Sequence, residues 1–180
     1  MRRLILFVLG LAAALVLVPT TAVADSATHS YVLVMEEPNF GTAPNGDQIA
    51  ISGEVDFSVN PKSIVDGGGS FTHMNAGGTV LAAGTWEATG LLDYQSYGCG
   101  VVFGDPSIPD NFCGGKVKMS VMLATPLGEL PGTLTVFCVI GPNPPDSIFG
   151  RHGEGATLSV PGIINFNDTA GGDNVIIQTG

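Results

Sequence analysis

Few residues in this chain combine a reactive side chain with a spacing that could do chemistry. Glu54 and Asp56 stand two apart on one face of a strand, which places them about 7 Å from each other, near the carboxylate separation of glycosidases. The same positions read equally as solvated surface, or as partners of Lys116 and Lys118 in surface pairs worth at most about 1 kcal/mol. His73 follows Asp66-Gly67-Gly68-Gly69-Ser70 and shares a strand face with Phe71. Such a histidine is a hydrogen-bonded structural residue unless carboxylates meet it in one concave site, where it becomes an acid or base. Glu54, Glu87 and Asp93 are the carboxylates to consider. The stretch Gly84–Cys99 holds the single Trp, two of the three Tyr and the first Cys, so Trp86, Tyr94 and Tyr97, together with His73, are the candidate ligand-binding residues.

Other constellations are missing from the string. Gly-x-Ser-x-Gly does not occur, which removes the serine hydrolases that set their nucleophile on a strand-to-helix elbow. Gly114-Gly115-Lys116 runs into a strand pattern rather than opening a helix, so it is no phosphate cradle. There is no His-Glu-x-x-His, no Cys-x-x-Cys and no calcium loop, and His29, His73 and His152 lie in separate regions. Neither a metal nor a cofactor is implied. Asn167-Asp168-Thr169 fits the glycan acceptor pattern, which matters only in a eukaryotic secretory pathway.

Three cysteines allow one disulfide. Cys99 and Cys113 bracket thirteen residues rich in Pro and Asp, and closing that interval contributes on the order of 3 kcal/mol by restricting the unfolded chain. Cys138 shares a face with Leu134, Val136 and Ile140, where a thiol behaves as a small hydrophobe. The expected pair is therefore Cys99 with Cys113, with Cys138 buried and reduced.

The elements that must position these residues are strands. Ile49, Ile51, Val55, Phe57 and Val59 alternate with Ser52, Glu54, Asp56 and Ser58, and Val117, Met119, Val121 and Leu123 alternate with Lys116, Lys118 and Ser120, the period of half-buried strands. From Val80 the even positions are Val80, Ala82, Gly84, Trp86 and Ala88. That parity turns Trp86 to the apolar side, and Gly84 beside it leaves room for the ring. Turn formers cluster at 44–47, 60–63, 66–70, 75–78, 125–132, 141–147 and 168–174, and no dozen residues after the leader carry helical periodicity. The pattern predicts an all-β, single antiparallel domain of about eight strands, either a β-barrel or a two-sheet β-sandwich.

Residues 1–24 read as an export signal, with Arg2 and Arg3, an apolar run from Leu4 to Val18, and Ala22-Val23-Ala24 as the cleavage site. Residues 25–180 are then one exported domain, secreted, periplasmic or at the cell surface. Cleavage removes two basic residues and no acid, so the formal charge moves from −10 to −12. Such an excess repels nucleic acid and anionic lipid, leaving a small molecule or an extracellular partner.

Gly84-Thr85-Trp86 resembles the Gly-x-Trp of lipocalins and the Gly-Thr-Trp of avidins, a likeness of three residues that implies a barrel. A longer pattern, through Gly46-Asp47-Gln48-Ile49, Gly67 to His73, Gly84 to Gly98 and Leu134 to Gly141, is similar to small exported prokaryotic β-rich proteins. That resemblance implies one exported domain and assigns no activity. Two functional expectations follow. One is a non-enzymatic interaction or small-ligand binding module; the other is a β-scaffold enzyme, a glycan-active hydrolase or barrel isomerase, built around His73.

Overall fold

The computed structural model describes residues 27–145 and 153–180; the expected export signal at 1–24 and His152 lie outside them. Nine strands and no helix occupy the described residues: β1 (His29–Thr42), β2 (Gln48–Val59), β3 (Ser63–Met74), β4 (Val80–Cys99), β5 (Phe112–Thr125), β6 (Gly128–Cys138), β7 (Gly155–Val160), β8 (Ile164–Phe166) and β9 (Asp168–Gln178). All belong to one antiparallel sheet. From β1 to β8 each strand pairs with the next, and β9 returns to pair along β1. Only Asn167 separates β8 from β9, and the two run in the same direction. The chain from Ile164 to Gln178 therefore pairs first with β7 and then with β1, which closes the circuit of ladders.

Strand β4 makes the second corner of that circuit. Its upper residues pair with β3 as far as Gly68↔Glu87, whereas its pairing with β5 runs from Thr85↔Ala124 down to Cys99↔Cys113. The two ladders overlap only at residues 85–87, so β4 exchanges β3 for β5 as its partner along its length.

The alternating residues of β2 and β5 form the interior as their period predicts. Ile49, Ile51, Val55, Phe57, Val117, Met119, Val121 and Leu123 are all buried, each contributing about 1.5–3 kcal/mol through removal from water. Trp86 joins them, in the cross-strand row Gly53–Gly69–Trp86–Leu123. Room for its ring comes from glycines other than the expected one. A Cβ at Gly53 would lie 2.7 Å from the indole, and one at Gly69 would collide with the Ser52 carbonyl, the same oxygen that accepts the Trp86 Nε1–H bond at 3.0 Å. Gly84 instead admits the Ala124 carbonyl.

Three segments with turn composition are strand. Residues 66–70 lie within β3, 168–174 within β9, and the second half of 125–132 within β6. Asn174, the last residue of the 168–174 segment, is buried and exchanges hydrogen bonds with buried Asn39 (Asn39 Nδ2 to Oδ1 2.9 Å, Asn174 Nδ2 to Oδ1 2.8 Å). Asn174 also donates to the Phe137 carbonyl at 3.0 Å. This pairing satisfies polar groups that an apolar interior would otherwise penalise.

Candidate functional site

Above Thr85↔Ala124, β4 and the β5–β6 hairpin part company. Among the described residues, 80–83 pair with β3 alone, and no strand lies beside their other main-chain edge. The opening is a groove of about 650 Å³ whose walls include Val80, Leu81, Ala83, Pro126, Leu127 and Leu130. The hairpin facing it is held by Thr125, whose Oγ1 donates to the Gly128 carbonyl (2.9 Å) and accepts from the Leu127 N–H (3.1 Å). That turn carries Leu127 outward, 100 % exposed. Val80 (57 %), Leu81 (55 %) and Ile163 (62 %) are also exposed at this end, an apolar concentration that marks interaction surfaces.

Ala82, Thr125 and Leu130 also line a smaller cavity of about 120 Å³ on the inner side, with Ile49, Phe71 and His73. Its volume is that of about four water molecules, well short of the several hundred Å³ of ordinary ligand pockets. The His73 ring meets Phe166 edge-on at 5.2 Å, and its Nε2 lies 3.0 Å from Asp47 Oδ2. The β1–β2 turn presents that carboxylate: Ala43 N–H donates to the Asp47 carbonyl (2.8 Å), and Asp47 N–H to Asn45 Oδ1 (3.1 Å). The His73 hydrogen bond, assisted by Asn45 and by the histidine's charge, holds the Asp47 carboxyl below the usual range against partial desolvation. None of Glu54, Glu87 and Asp93 supplies this partner. Asp47 does, from a position the sequence reading did not single out.

No family model, curated protein or solved structure matches the chain. Its chemistry therefore rests on its own geometry.

The other candidate residues do not converge on this opening. Trp86 is buried below it, and Tyr94 lies further along β4, partly buried, its ring 5.0 Å from Tyr31 and 5.2 Å from Phe57. The Tyr94 hydroxyl is enclosed without a hydrogen bond among the described residues, and burial pushes its phenol well above the ordinary value. Tyr97 packs in a separate cluster with Phe137 and Val139, where burial, followed by the Cys138 thiol, pushes it up to about 12. Below these lies the Cys99–Cys113 disulfide, which joins register partners of β4 and β5. Cys138 is reduced and buried, and its thiol donates to the Asn174 carbonyl at 3.0 Å. Desolvation, then the Glu154 charge, push that thiol up to about 12, which keeps it protonated and inert.

Glu54 and Asp56 face outward, in a shallow trench of about 360 Å³ with Asp66 and Glu87 around a floor of Gly67 and Gly68. Glu54, Gly68 and Glu87 form one cross-strand row, and Asp56 stands opposite Asp66. Neither Glu54 nor Asp56 pairs with a lysine. Lys116 lies 3.7 Å from Asp93, which Lys62 also meets at 3.2 Å, while Lys118 stands opposite Asp93 in the ladder. The expected pairing fails because β3 and β4 lie between β2 and β5. Among the described residues no three His, Cys, Asp or Glu are grouped to hold a metal, and no helix is long and apolar enough to cross a membrane.

The groove was the part missed in the sequence. Its one legible signal is Leu127, a large apolar side chain at the tip of a tight hairpin, with a second apolar run, Val80-Leu81-Ala82-Ala83, opening β4.

Proposed function

We propose that this chain is an exported, non-enzymatic interaction module that binds an extracellular partner in the groove between β4 and the β5–β6 hairpin. The observation carrying this reading is the contrast between a filled interior, where Trp86 is packed into Gly53 and Gly69, and an open apolar groove at one end. A lipocalin-like or avidin-like ligand chamber needs empty volume beside the tryptophan, and here the ring occupies it. Site-specific photo-cross-linking in the exporting cell tests the reading. A cross-linker at position 127 or 81 is expected to give discrete adducts, while one at Phe103, 76 % exposed and outside the groove, gives none. Equal labelling at all three positions, or none at any, would remove the groove as the docking site.

The alternative is an acid/base enzyme centred on His73. The Asp47–His73 pair at the cavity wall favours it; of the other side chains lining that cavity only Thr125 is polar, so it lacks a second acid or base. Neither reading needs a cofactor. A His73→Ala protein that stays folded and keeps its position-127 adducts supports the interaction module; turnover of any glycan lost on that substitution supports the enzyme.

A further inference from the structure

We infer that the groove takes an extended polypeptide segment, apolar over the few residues seated in the groove and basic over the few that continue towards the trench. It adds as a strand to the open edge of β4 and carries its cations onto Glu54, Asp56, Asp66 and Glu87. This rests on the groove being the docking site and names the partner's chemistry.

Main-chain geometry excludes a purely greasy occupant. Residues 80–83 are a strand with β3 on one side and, among the described residues, no strand on the other. Open edges of that kind are ordinarily protected by Lys, Pro or shortness. Val80-Leu81-Ala82-Ala83 carries no charge and no proline, so its only protections are its shortness and a register shift at Leu81. The edge thus offers unpaired N–H and C=O groups between the apolar side chains of Val80, Leu81, Leu127 and Leu130. An occupant that satisfies both kinds of surface is a strand with apolar side chains, the β-addition mode of peptide recognition.

The direction in which that strand leaves fixes its charge. Downward along β4 the edge is closed at Thr85↔Ala124, and the inner side is filled by Trp86. The outer face is open, and its side chains along β4 run Ala83, Thr85, Glu87. Ala83 to Glu87 is four residues, about 13 Å, so the segment reaches the trench within about four residues of leaving the groove. There it meets four carboxylates, with no ion pair to any of them among the described residues. Two of the four, Asp56 and Asp66, stand directly opposite each other, an arrangement that costs stability and that a Lys or Arg relieves. A second copy of this chain is a poor occupant, since its own charge of −10 would meet those carboxylates.

The probe is a fluorescent eight-residue peptide, four alternating Val and Thr followed by four Lys, titrated by anisotropy at low and high salt. Saturable binding that weakens by about tenfold or more between 50 mM and 500 mM salt is expected, with a similar loss on changing all four Lys to Glu. N-methylating alternate amides of the Val/Thr half leaves the side chains but removes main-chain donors, and should cost about tenfold. The fourfold variant Glu54→Gln, Asp56→Asn, Asp66→Asn, Glu87→Gln should lose most of the salt dependence; the N-methyl comparison needs no protein variant and stands whether or not this one folds. Equal binding of the N-methylated peptide, saturable binding of octanoate in its place, or concentration-dependent dimerisation that the peptide does not reverse would each overturn the inference. If the peptide fails while position 127 still gives adducts, the docking site survives and only its occupant is wrong. If both fail, both readings fall.

Discussion

The upper and lower halves of β4 differ in almost everything except their chain. The upper half pairs with β3, is open towards β5, and lines its opening with Val80, Leu81 and Leu127. The lower half pairs with β5 and is open towards β3; its opening is spanned by Lys62, which reaches the Leu92 carbonyl (3.3 Å) and Asp93 (3.2 Å), and its end is covalently fixed by Cys99–Cys113. One opening is thus tethered and the other is left apolar and unprotected. A fold that merely tolerated a gap would treat the two alike, and the difference is what supports the proposal that the upper one is a docking surface.

Residues 85–87 alone belong to both ladders, so the largest way to break the contrast is there. Trp86→Ala removes the indole that lies against Gly53 and the Ser52 carbonyl and leaves its volume empty. A loss of about 4 kcal/mol is expected, read by chemical denaturation, with both halves of β4 losing amide protection together. Loss of protection confined to the upper half would show that the two halves are independent. Next in size is Cys99→Ala with Cys113→Ala. Opening the 14-residue separation should lower stability by about 3 kcal/mol while leaving peptide binding at the groove within a factor of about two, since nothing at the groove touches the disulfide. Reduced binding would mean that the lower staple sets the upper opening.

The lower half was the more legible of the two in the sequence, for a physical reason. Strand period, parity and the disulfide depend on residues near one another in the chain or on one alternating face, and Ile49 to Phe57, Val117 to Leu123 and Cys99–Cys113 all follow from such patterns. The groove depends on where two ladders stop, which no local pattern encodes. Asp47 and His73 are 26 residues apart, and only the meander that sets the β1–β2 turn beside β3 brings them together. Asn174 has turn composition because Asn is used in turns far more often than in buried pairs, and its partner Asn39 is 135 residues away. Gly67 to Gly69 misled in the same way: they are flat strand, required by Trp86 and the neighbouring backbone.

The two ends also respond to pH with opposite signs, and that contrast can be sharpened without disturbing packing. At the lower end, Glu154 accepts the Asn174 N–H bond at 2.9 Å. Desolvation first, against that bond, and then the charges of Asp173 and Glu36 raise its carboxyl from 4.5 to about 7. The folded state therefore holds a proton that the unfolded chain has released, and its contribution is full below pH about 4.5 and lost as pH rises through about 7. Glu154→Gln keeps the acceptor and removes the titration. Amide exchange at residues 173–176 is expected to quicken between pH 5 and 8 in the parent, after correction for intrinsic exchange, and to stay flat in the variant. A parent profile already flat would place the carboxylate in water.

The smallest expected effect belongs to the upper end, where the sign reverses. Asp47 is held below the usual carboxylate range chiefly by its bond to His73, so the unfolded chain takes up a proton before the folded one does. Its contribution is present above the unfolded value and disappears as pH falls through the lower, folded value. Acidification below about pH 4 should loosen the β1–β2 turn and residues 72–79 while residues 173–176 remain protected. Asp47→Asn retains an acceptor for His73 and should remove most of that acid sensitivity with little change at neutral pH. Because His73 lines the cavity beneath the groove, the peptide probe distinguishes two kinds of upper end. If its affinity is unchanged in Asp47→Asn, the pair only fixes a turn; if affinity falls at neutral pH, where the fold is intact, the pair sets the shape of the groove floor, and the upper opening is held by a hydrogen bond where the lower is held by a lysine and a disulfide.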